Sequence, residues 1–134
     1  MTIRTEILPW KISSKLVSII DEEMKHAGIT VDVGAIVTFR DPDYSPESGG
    51  YHPVEIAIGP GGRMEYITDF AYHGIPPHCE LAKELDFDFS LNLFQHFGIE
   101  FPLPQGLEMF RLWQSNFLAY HGMNVYSVSV ESMG

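Results

Sequence analysis

The segment HGIPPHC at 73–79 holds two of the six histidines and the single cysteine of the 134-residue chain. Imidazole and thiolate are the side chains that bind zinc and related metals, so His73, His78 and Cys79 are candidate ligands. A strong zinc motif repeats its ligand pair, and no second CxxC or HxxxH half follows here. His52 and His96 are the outside histidines that would have to complete such a site. The Gly-Ile-Pro-Pro interval reads more simply as a connector whose prolines restrict its shape. A metal-dependent enzyme built on this loop, with a nearby carboxylate as base, is therefore the alternative. A structural loop is preferred, and no cofactor is expected.

Two acidic groups come next. Glu84, Asp86 and Asp88 alternate along a strand-like run, which predicts that they share one solvated face. Such a row suits a hard cation or a basic partner. In DPDYSPESGG, Asp41, Asp43, Ser45 and Glu47 alternate in an exposed loop that faintly echoes a calcium loop. Pro46 stands where an EF-hand needs glycine, and His52 where it needs glutamate, so that match fails. GPGG at 59–62 lacks the GK[ST] ending of a phosphate loop, and no GxSxG elbow accompanies any serine. Cys79 as a nucleophile would need a remote histidine, and a lone cysteine is more often a small packed residue.

These groups must be positioned by elements that the apolar spacing reveals. Ile12, Leu16, Ile19, Ile20 and Met24 recur at helical steps within 11–28, and Gly28 can end that helix. From Ile29 the period becomes two: Val31, Val33, Ala35, Val37 and Phe39 alternate up to Arg40. After the acidic loop, His52, Val54, Ile56 and Ile58 form a strand. GPGG reverses it into a third strand, RMEYITDFAY, so these two form a hairpin. Leu85, Phe87, Phe89, Leu91 and Leu93 predict one further strand. FPLPQG breaks the chain before a second helix at 107–122, with Phe110, Trp113, Phe117 and Leu118 on its apolar stripe. Trp113, Phe117 and Tyr120 read as core before they read as a recognition surface. Tyr126, Val128 and Val130 alternate in a closing strand. Consecutive strands between helices predict an α+β fold: a twisted antiparallel sheet flanked by an N-terminal and a C-terminal helix, with a final strand. Residues 1–134 are expected to form a single domain.

The composition narrows the function. A formal net charge of −10 argues against direct binding to nucleic acid, which needs clustered Lys and Arg. It suits a basic protein partner or mimicry of nucleic acid against a defence enzyme. No hydrophobic signal core opens the chain and no apolar window reaches bilayer length, so a cytoplasmic protein without membrane contact is expected. Phe94 and Phe97 extend past the clean alternation of their strand and are candidates for a homo-oligomer contact.

The motifs DFDFSLNLFQHF, FAYHGIPPHCEL and LWQSNFLAYHGMNVYSVSV resemble a family of small gammaproteobacterial proteins of unknown function, often carried on genomic or pathogenicity islands. The resemblance runs over most of the chain and implies no catalytic set to carry over. In architecture the chain is also similar to the mitochondrial acidic matrix glycoprotein family. That likeness implies a ring-shaped oligomer binding many ligands, a complement recognition protein among them. This chain ends in an apparent strand where that family ends in helices. The expectation is a non-enzymatic acidic binding protein of a mobile island, presenting Glu84, Asp86, Asp88 and the 41–51 loop to its partner.

Overall fold

The computed structural model describes residues 2–134. Its first helix, α1, spans Ser14–His26, where the Ser13 side chain caps the start by accepting from the Lys15 amide at 3.2 Å. At the other end the Gly28 amide donates to Lys25 and the Ile29 amide to Met24, which satisfies two carbonyls of the last turn. Leu16, Ile20 and Met24 are buried, as the spacing predicts.

The strands are β1 (Ala35–Arg40), β2 (Val54–Ile58), β3 (Met64–His73), β4 (Glu80–Asp88), β5 (Leu93–His96), β6 (Ile99–Pro102) and, after the second helix, β7 (Ser127–Ser132). They form one sheet in the order β6-β5-β4-β3-β2-β1-β7, with every neighbouring pair antiparallel. A 3₁₀ turn at Leu103–Gly106 leads into α2, Leu107–Gly122. The α+β class and the flanking helices are as the sequence implies. One cross-strand row runs through all seven strands: Val130, Val37, Ile56, Ile67, Phe87, Phe94 and Phe101. This row faces the helices. Phe87 meets Phe110 at 5.3 Å between ring centroids, and Phe39 meets Phe117 at 5.0 Å. Both contacts are edge-on, an arrangement the ring quadrupoles favour.

Several local expectations change: His52 lies in the loop before β2 and Tyr126 just before β7, each outside the strand its alternation predicts. β1 begins at Ala35 and not in the alternating run before it, because residues 30–34 form a turn in which the Val33 and Gly34 amides both donate to Thr30. Gly34 ends that turn at φ +84°, and an added Cβ would stand 2.6 Å from the Ile58 carbonyl oxygen. Only glycine fits there. The run from Leu85 to Leu93 is two strands, not one. Residues 89–92 form a turn that Asp88 organises, accepting from the Leu91 amide at 2.9 Å and the Ser90 hydroxyl at 2.6 Å. β5 and β6 then form a hairpin closed by Phe97 and Gly98, both at positive φ, as a two-residue turn requires. Phe94 is a core residue at 6% exposure, whereas Phe97 is 54% exposed, so only Phe97 is free to meet another chain.

Among the described residues no helix is long and apolar enough to cross a membrane.

Candidate functional site

The acidic loop after β1 is closed from within. Asp41 is buried, and its carboxylate accepts from the Asp43 amide at 2.9 Å and the Tyr51 amide at 3.0 Å. This bond pair belongs to the loop's own turn chemistry. It leaves Asp43 and Glu47 exposed, and it delivers His52 beside the sheet. Pro53 fixes the chain beyond, its carbonyl accepting from the Phe70 amide at 2.9 Å.

The sheet meets His52 with two carboxylates. On β3 and β4, Asp69 pairs with Leu85 and Phe70 with Lys83, so Glu84 is one extra residue in β4. A bulge of this kind interrupts alternation and re-aims the side chain it carries. Glu84 is thereby taken off the face it would share with Asp86 and Asp88. Its Oε2 lies 3.3 Å from His52 Nδ1, and the same nitrogen donates to Asp69 Oδ1 at 2.8 Å. The hydrogen bond to Asp69 is the main cause that raises the His52 pKa above its ordinary value, and the charges of Asp69 and Glu84 add to it. Burial opposes the shift.

Across from this cluster, α2 and the segment before β7 supply an aromatic wall of Trp113, Phe117, Tyr120 and Tyr126. Tyr120 also packs on Tyr51 at 4.6 Å between centroids. Sheet, loop and helix enclose a cleft of about 290 Å³, with no Lys or Arg among its lining residues. Burial, followed by the nearby Asp69 charge, pushes the Tyr126 hydroxyl well above the usual phenol range, so this tyrosine is neutral near pH 7. The cleft therefore carries two carboxylates against one titratable imidazole.

The other sequence candidates do not join it. Asp86 lies on the opposite face from Phe87 and is itself buried, 5% exposed, so it is no part of a solvated acidic row. The buried Thr68 hydroxyl donates to its Oδ1 at 2.9 Å, and Lys83 stands 3.6 Å from Oδ2. Burial raises the Asp86 pKa, against the opposing pull of Thr68 and Lys83. Asp88 is engaged in the β4–β5 turn. The row of three carboxylates is thus divided among a cleft, a buried pair and a turn.

His73, His78 and Cys79 do not assemble into a ligand set. His73 stands edge-on to Phe97 at 5.3 Å between centroids, and its buried Nε2 has no hydrogen-bond partner. His78 is exposed, and the Cys79 thiol faces the Gly74 carbonyl at 3.7 Å. Among the described residues, the potential ligand atoms that gather in a group of three, within 4.8 Å of one another, are those of His52, Asp69 and Glu84. As a metal ligand, His52 enters the sequence reading only as an outside histidine, and Asp69 does not enter it at all. The available signal was a carboxylate interrupting the apolar run of YITDFAY.

Residues 14–131, which take in both helices and all but the last residue of the sheet, match the family described as "Protein of unknown function (DUF2787)". The chain belongs to that family. Among solved structures, this DUF2787 chain is similar to a hypothetical protein from the VSP-II pathogenicity island of Vibrio cholerae, at 36% identity and TM-score 0.82, covering 97% of this chain and 99% of that one. It is also similar to a conserved hypothetical protein from pathogenicity island VPI-2 of Vibrio cholerae O1 biovar eltor. That likeness has 33% identity and TM-score 0.80 and covers 96% and 99% of the two chains. The second protein is described as sharing structural homology with the human P32 protein. No curated protein matches the chain.

Proposed function

We propose that this DUF2787 protein is a non-enzymatic binding protein that takes a cationic side chain of a basic protein partner into the cleft between α2 and the sheet. The observation that carries this function is the lining of the cleft: Asp69 and Glu84, together with aromatic rings and without Lys or Arg. Carboxylates supply charge for a lysine or arginine, and ring faces attract the same cations. The loop bearing exposed Asp43 and Glu47 runs directly into the cleft residues Tyr51 and His52, and the net charge of −10 would steer a basic partner toward it. The likeness to proteins of two Vibrio pathogenicity islands supports an accessory role carried on a mobile element.

The test is titration of a fluorescent arginine-rich peptide into the purified chain, followed by anisotropy. Saturable binding is expected, weakened about tenfold by Glu84→Gln and strongly by raising salt from about 0.05 to 0.5 M. Absence of saturation, or an affinity indifferent to both changes, would refute this function.

A further inference from the structure

We propose that His52, Asp69 and Glu84 form a binding site for a divalent transition metal of the zinc class. Three observations converge on it. The donor set is one imidazole nitrogen and two carboxylates, each of them a zinc ligand, with bonds of about 2.0–2.2 Å. Ligand atoms sharing a tetrahedral ion at that range stand about 3.3 Å apart. Nδ1 of His52 lies 2.8 Å from Asp69 Oδ1 and 3.3 Å from Glu84 Oε2, and all three ligand atoms fall within 4.8 Å of one another. Tetrahedral closure would therefore need only small side-chain adjustments.

Charge balance points the same way. Two partly buried carboxylates face one imidazole, and their only ion-pair partner within 4.0 Å among the described residues is His52. A dication replacing the imidazole proton would neutralise the pair. Supply of the third ligand also depends on a specific feature, since Glu84 reaches the cluster only because one extra residue interrupts β4. Three protein ligands leave a fourth position facing the cleft of about 290 Å³, room enough for water or a ligand atom of a guest.

This site goes beyond the binding role and stands without it. The two are linked, however, because a metal held by Asp69 and Glu84 would occupy the charge that a cationic side chain needs. Metal and basic partner would exclude one another, making the ion a gate on the cleft.

The experiment uses the untagged 134-residue chain, stripped with chelator and titrated with zinc chloride alone. Calorimetry measures the affinity, and native mass spectrometry reports bound zinc and subunit count together. One zinc per chain is expected. Glu84→Gln and His52→Ala should each weaken binding at least about tenfold, with folding checked by circular dichroism. Glu84→Gln carries the test if the histidine variant does not fold. His78→Ala should bind zinc as the parent does. A folded parent without stoichiometric zinc would overturn the site, as would loss of zinc in His78→Ala but not in Glu84→Gln. Zinc binding in a chain that ignores the arginine-rich peptide would refute the partner alone. Peptide binding in a chain that ignores zinc would refute the metal alone.

Discussion

Replacement of Asp86 by asparagine should stabilise the protein at neutral pH, whereas replacement by alanine should destabilise it. Asp86 has a 6% exposed side chain, and its carboxylate receives the Thr68 hydroxyl at 2.9 Å. Lys83 gives little in return, being 3.6 Å away with a side chain 56% exposed, and such a pair contributes about 0–1 kcal/mol. A hydrogen bond to a charged acceptor contributes about 1.5–3 kcal/mol against about 0.5–1.5 for a neutral one. Exchange of the carboxylate for an amide therefore forfeits about 1 kcal/mol there. Against this stands the desolvation of a buried charge, several kcal/mol per ion. Burial is the largest influence on Asp86 and, with the nearby Asp88 charge added, holds its pKa above the ordinary value against Thr68 and Lys83. Asparagine, which keeps an oxygen for Thr68, should thus gain on the order of 1 kcal/mol at pH 7, or about 4 °C in Tm. Alanine leaves the Thr68 hydroxyl, 1% exposed, without its acceptor, at a cost of about 1–3 kcal/mol.

The pH dependence follows from the direction of the shift. With the folded pKa raised, the stability that Asp86 contributes is fully present below its unfolded value, about 3.9, and is lost as pH rises through the folded value. The advantage of Asp86→Asn should therefore be largest near neutrality and shrink as the parent acquires its own proton in acid. Urea unfolding, followed by tryptophan fluorescence at pH 7 and near pH 4.5, measures both effects. If asparagine destabilises as much as alanine at pH 7, the buried charge is net favourable and the reasoning fails.

Two further substitutions test the scaffold. Gly34→Ala combines a left-handed backbone with a close approach to the Ile58 carbonyl and should cost about 3 kcal/mol or more. Gly98→Ala, at φ +80° with nothing within 4 Å of the added carbon, should cost about 1 kcal/mol; equal losses in thermal melts would show that the contact at Gly34 is unimportant. On α2, Phe110→Ala empties a fully buried position that touches Trp10, Phe87, Phe89 and Trp113, for about 3–5 kcal/mol. Leu112→Ala, at a position 57% exposed, should stay within about 0.5 kcal/mol in the same denaturation series; a similar loss at both would mean that the helix packs by another face.

Both helices, the β2–β3 hairpin and the α+β order could be read from the sequence because each depends on burial repeated over neighbouring residues. Ile20 and Met24, or Phe110, Trp113 and Phe117, share a face by local geometry alone. Alternation also carried real information at Leu85 and Phe87, both of which are buried. It could not reveal that the chain reverses at residues 89–92, since Phe89 is buried like a continuing strand residue while Asp88 closes a turn beneath it. The site was decided by relations between strands. A bulge exists only relative to a partner, and the register of β3 against β4 turns Glu84 toward Asp69 and separates it from Asp86. His52, Asp69 and Glu84 lie on a loop and two strands, 17 and 15 residues apart in sequence, and no local period links them. The sequence by itself determined which residues seek the interior and in what order the elements run. Tertiary pairing decided which carboxylates are buried, which are engaged in turns and which face the cleft, because the environment of a charge is set by the neighbours that folding brings to it.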